Sequence, residues 1–68
     1  MTKKDGLKLL NSSLINLREF ARQLAEKNNE NDIELFANRY RSNLSKKIRS
    51  KTLKLESKEV EDLCNLLS

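Results

Sequence analysis

The side chains best placed to do chemistry in this chain are basic ones. Between residues 35 and 55 stand Arg39, Arg41, Lys46, Lys47, Arg49, Lys51 and Lys54, with no Asp or Glu among them. Residues 1–34 carry six basic and six acidic side chains, and residues 56–68 set Lys58 against Glu56, Glu59, Glu61 and Asp62. The formal charge of +4 therefore comes from one segment. Seven like charges on one stretch repel each other, and a phosphate backbone or an acidic surface relieves that repulsion. Two readings follow. The first is a small non-enzymatic regulatory protein that binds nucleic acid, DNA or RNA, through this segment. The alternative is an interaction module, an adaptor, inhibitor or assembly factor, whose basic helix docks an acidic protein. Acids of the C-terminal segment are a third way to neutralise part of the charge.

Projected as a helix, Arg39 and Lys46 share one flank, Arg41 takes the other, and Arg49 faces outward, so the charges wrap the helix. Lys4, Lys8, Asn11, Ile15, Arg18 and Arg22 form a secondary candidate face. On one continuous helix they project within about 80° of one another. Ile15 is the large apolar residue of that polar strip and suits contact with a base, a groove or another helix. The plainer reading, which we favour, seats it against the third helix or a dimer mate. Tyr40 stands between Arg39 and Arg41, where a base could stack on it. Its place in the Phe36–Leu44 apolar series favours a core role with the hydroxyl at the edge.

Most catalytic parts are missing. There is no histidine, and Cys64, the single cysteine, sits in an apolar series on an acidic segment rather than beside a base. No Gly-rich loop is present to cradle phosphate. The chain reads as a non-enzyme with no metal and no cofactor, and Cys64 has no partner for an internal disulfide. No apolar run approaches about 20 residues, so no membrane span is expected. The charged N-terminus precedes no apolar signal region. With a lone thiol, this reads as an intracellular, cytoplasmic protein.

The elements that must position these residues read as helices. Proline is absent, Gly6 is the single glycine, and Leu, Lys, Glu and Arg are abundant. Thr2 and Asp5 form a capping-box pattern. Leu7, Leu10, Leu14, Leu17, Ala21 and Leu24 then recur every three or four residues, which predicts a first helix over about 3–27. Leu9 and Phe20 widen its apolar face beyond what one neighbour needs. Lys27 to Asn31 is a polar break, with Asn suited to a left-handed helix end. Asn31 reads as the cap of a second helix over about 32–50, with Glu34 three residues on, burying Ile33, Phe36, Ala37, Tyr40, Leu44 and Ile48. A short connection makes the two helices an antiparallel hairpin.

Residues 51–56 alternate polar and apolar, and in a chain with no other strand we read them as linker or frayed helix. Ser57 then caps a third helix over about 58–67, whose face is Val60, Leu63, Cys64 and Leu67. So short a helix must dock, and the wide face of the first helix is the natural site. The expected fold is all-α, one domain over 1–68: a hairpin closed by a short C-terminal helix. The surplus apolar face of the first helix predicts a homodimeric small bundle.

In outline, residues 1–50 resemble the Rop family of small RNA-binding helical hairpins, which pair into four-helix dimers. The likeness lies in the Met1-Thr2-Lys3 start, a helix to about residue 27, the tight Asn/Asp turn, Tyr40-Arg41-Ser42 and the stripe around Asn11 and Ile15. The resemblance implies RNA contact through the first helix, whereas the charge of this chain is strongest on the second.

Overall fold

A computed structural model describes residues 1–12 and 14–67. Those residues form four α-helices and no strand: α1 (Lys3–Asn11), α2 (Leu17–Lys27), α3 (Ile33–Ser50) and α4 (Lys58–Leu67). The chain is all-helical, as its composition predicts, with one helix more than its apolar periodicity suggests.

The extra helix comes from a break in the expected first helix. Ser12 turns its hydroxyl back to donate to the Leu9 carbonyl (2.8 Å) and accepts the Leu14 amide (3.3 Å). Asn16 adopts an extended backbone, and its side chain accepts the Glu19 amide (3.2 Å), which starts α2 afresh. Short polar side chains compete with the helix for backbone partners, and here Ser12 and Asn16 win that competition. Leu14, expected in the core, is 84% exposed. The likeness to a Rop-type hairpin ends at this break, because it rests on an uninterrupted helix to about residue 27.

The other boundaries have clear causes. Thr2 caps α1 by accepting the Asp5 amide, as the pattern predicts. The cap of α3 is Asp32, which accepts the Leu35 amide at 3.0 Å, and not the expected Asn31. Two helices end in left-handed residues that are not glycine: Asn29 (φ 55°) after α2 and Lys51 (φ 58°) after α3. In each case the next amide reaches back five residues, Glu30 to Ala25 (3.1 Å) and Thr52 to Lys47 (3.0 Å). That pairing satisfies carbonyls that a helix end leaves open. Residues 51–57 are a linker, which agrees with the sequence reading. Ser57, read as the α4 cap, instead points its hydroxyl backward to accept the Lys54 amide (2.9 Å), closing a turn over 54–57. Its carbonyl accepts the first amides of α4, from Val60 and Glu61.

The core joins all four helices and the linker. Leu10 of α1, Phe20 of α2, Leu44 of α3, Leu53 of the linker, and Val60 and Leu63 of α4 are buried together. α2 packs chiefly along α3, and α4 chiefly against α1, so the third predicted helix docks on the N-terminal half of the first, as expected. Gly6 lets that happen: a Cβ there would stand 3.2 Å from Cys64 Sγ and 3.5 Å from Val60 Cγ1. The radius of gyration, 11.2 Å, matches the roughly 11 Å of a compact chain this long.

Candidate nucleic-acid interface

The basic segment divides into three groups once folded. Leu35, Arg39, Ser42, Lys46 and Arg49 recur along α3 at spacings of four, three, four and three, and all are exposed. They lie opposite the buried Ala37 and Leu44, so they form one outward stripe about 21 Å long. The stripe contains three cations and no acid. Arg41 is exposed but lies on a flank, off this stripe. Lys51 and Lys54 sit past the helix end in the linker, both exposed, and extend the positive surface beyond Arg49.

Lys47 belongs to none of these. Its ammonium pairs with the Glu59 carboxylate at 2.8 and 3.1 Å, and Glu59 is the one buried charged residue among those described. Lys47 therefore ties α3 to α4 and is not available to a partner in the way the sequence reading supposed. Neutralisation by an acid of the C-terminal segment is what occurs at Lys47. Sequence offers one signal for it: Glu59 lies four residues before the core residue Leu63, on the inward side of α4.

Tyr40 takes the core role. Its ring stacks on Phe36 (centroids 5.7 Å apart, 18° between planes) and meets Phe20 edge-on (5.7 Å, 83°). Its hydroxyl donates to Asp62 Oδ2 at 2.7 Å. Burial raises the phenol pKa above its usual value, and the Asp62 hydrogen bond and the charges of Asp62 and Glu59 push in the same direction. Tyr40 and Lys47 thus both fasten α3 to α4, and both partners on α4 are acids of the segment whose net charge is negative.

The secondary face does not survive as one strip. Lys4, Lys8 and Asn11 lie on α1, Ile15 in the connection, and Arg18 and Arg22 on α2, so the break separates them. Ile15 is partly buried against the core and shares a hollow with Leu63, Leu66 and Leu67 of α4, the plainer of its two readings. Arg22 stands 3.9 Å from Glu34, an exposed pair that contributes little.

Among the described residues no group of His, Cys, Asp and Glu is arranged to hold a metal ion. Among the described residues no helix is long and apolar enough to cross a membrane. No protein-family model, curated protein or solved structure matches this chain. The functional reading therefore rests on the chain's own charge and geometry.

Proposed function

We propose that this is a small non-enzymatic regulatory protein that binds nucleic acid through the outer face of α3. One observation carries the reading: Arg39, Lys46 and Arg49 line a single exposed stripe of α3 with no acid on it, while Lys47 on another side of the same helix is paired with Glu59 of α4. Fixed cations on a rigid helix meet successive phosphates without first being ordered, and release of condensed counterions supplies the affinity. No aromatic residue lies in the stripe itself, although Phe36 and Tyr40 border a hollow beside Leu35 and Arg39. The contact is therefore chiefly one of backbone charge and shape. Lys51 and Lys54 lengthen the footprint past the helix end, and Arg41 adds charge from the flank.

The second reading, an acidic protein partner, is favoured by Leu35 and Leu55, which are 47% and 45% exposed at the two ends of this surface. A protein interface needs such apolar anchors. Charge reversal separates the two. With Arg39→Glu, Lys46→Glu and Arg49→Glu combined, binding to labelled duplex DNA and structured RNA is expected to vanish, while Leu35→Ser and Leu55→Ser leave it intact. If the parent protein binds neither polymer even at low salt, the nucleic-acid reading is wrong.

A further inference from the structure

Building on the nucleic-acid reading above, we infer that α3 lies in the major groove of B-form duplex DNA. Asn38 and Ser42 face the base edges, Arg41 meets one phosphate strand, and Arg39 and Lys46 meet the other. Residues two apart on a helix project about 160° apart. Arg39 and Arg41 therefore leave α3 on opposite flanks at nearly the same height, and both are exposed. Lys46 follows Arg39 on its flank, two turns on, and is exposed as well. Between the flanks run Asn38 and Ser42, exposed and one turn apart. Ala37 and Leu44 face the core, and Tyr40 and Lys47 are held by α4 on the inner side. An outer arc of about 200° thus stands clear of the body. Glu34 is the acid on that arc, in the first turn of α3, and it stands 3.9 Å from Arg22.

This order of side chains selects the partner. A helix in a major groove has a phosphate strand on each side and base edges in front of it. Across its outer face α3 presents cation, then amide and hydroxyl, then cation, in that order. An α-helix with its side chains is about 10–12 Å across, and the major groove of B-DNA is about 12 Å wide. A-form RNA narrows and deepens that groove until side chains cannot read it. A single strand has one run of phosphates and leaves one flank unmatched. An acidic protein would meet whichever flank faced it, and gives no account of cations on both. An asparagine carboxamide pairs with adenine through N6 and N7, and a serine hydroxyl suits any base. Asn38 therefore calls for a site that contains an A·T pair.

Selection by the full chain from a pool of random-sequence duplex DNA tests this, followed by anisotropy with the enriched duplex, a scrambled duplex and the enriched sequence as duplex RNA. An enriched sequence with adenine at a fixed position is expected, bound about tenfold or more tighter than the scrambled duplex or the RNA. Replacing that adenine by 7-deazaadenine removes the N7 acceptor without altering base pairing and should cost about tenfold. Asn38→Ala should cost a similar factor, and 7-deazaadenine should then cost that variant nothing more. Asn38 is exposed and alanine favours helix, so the variant should keep its circular dichroism. Arg41→Glu and Lys46→Glu should each weaken the enriched and scrambled duplexes alike. DNA binding with no enriched sequence, an enriched sequence indifferent to Asn38→Ala, a charge-reversal loss confined to one flank, or equal binding of the duplex RNA overturns the inference and leaves the broader nucleic-acid reading standing. Absence of binding to every polymer overturns both.

Discussion

Lys47 and Glu59 show how a single pair changes the meaning of a basic sequence. The carboxylate is 9% exposed and the lysine side chain 43% exposed, so the pair is half in water. Removing Lys47 strands a buried charge, whereas removing both ends together does not. Lys47→Met is expected to cost about 1–3 kcal/mol, less than a fully buried pair because water still reaches the ammonium. The double variant with Glu59→Leu should recover most of that loss in urea unfolding.

Tyr40 gives a second test at this scale. It is the only tyrosine, so its titration can be read alone. A folded-state pKa raised above the unfolded one makes a contribution to stability that is full below about pH 10 and is lost as pH climbs. Phenolate absorbance should therefore lag that of a free tyrosine and appear together with alkaline unfolding. Tyr40→Phe, which abolishes the phenolate signal itself, should destabilise by about 0.5–1.5 kcal/mol at neutral pH, whereas Asp62→Ala should shrink the lag. A phenol that ionises near pH 10 in a folded protein would contradict the Asp62 contact.

At the scale of elements, the break at 12–16 and the two left-handed helix ends set the shape. Asp32→Ala should cost about 1 kcal/mol as a lost cap, and Asn31→Ala almost nothing. Lys51→Gly should stabilise the fold by about 1 kcal/mol, since glycine takes a positive φ without strain. Gly6→Val should do the opposite by about 1–3 kcal/mol, pushing α4 away from α1. Thermal melts of the four variants rank these claims.

Much of this architecture was legible beforehand. The helical class, the boundaries near 27, 32, 50 and 58 and the Thr2 cap follow from local patterns, whereas residues 51–56 read as either linker or frayed helix. The break was harder to read because the leucine series runs straight through it: Leu10, Leu14 and Leu17 keep perfect spacing. Only Asn11, Ser12, Ser13 and Asn16 signal the interruption, and their effect depends on which hydrogen bonds the folded chain allows. Asn31 and Asp32 are both good caps, and local sequence does not rank them. The basic segment was legible as a charge run, but its division was not, because the pairing of Lys47 with Glu59 depends on how α4 docks.

At the scale of the whole molecule, charge is sorted. Glu59 and Asp62 of α4 hold Lys47 and Tyr40, and Arg39, Lys46 and Arg49 of α3 point away from the body. This leaves a small positive rod about 21 Å long on an otherwise nearly neutral protein. Binding that depends on such a rod should fade with salt in proportion to the phosphates it covers.

The most direct measurement is fluorescence anisotropy of labelled duplex DNA and structured RNA across a salt series, comparing the parent protein with Arg39→Glu, Lys46→Glu and Arg49→Glu singly. A log-linear loss of affinity with salt is expected, its slope shallower by about one unit for each stripe cation removed, and nearly unchanged by Lys47→Met. Binding that is insensitive to salt, or that depends on Lys47 as much as on the three stripe residues, would contradict it.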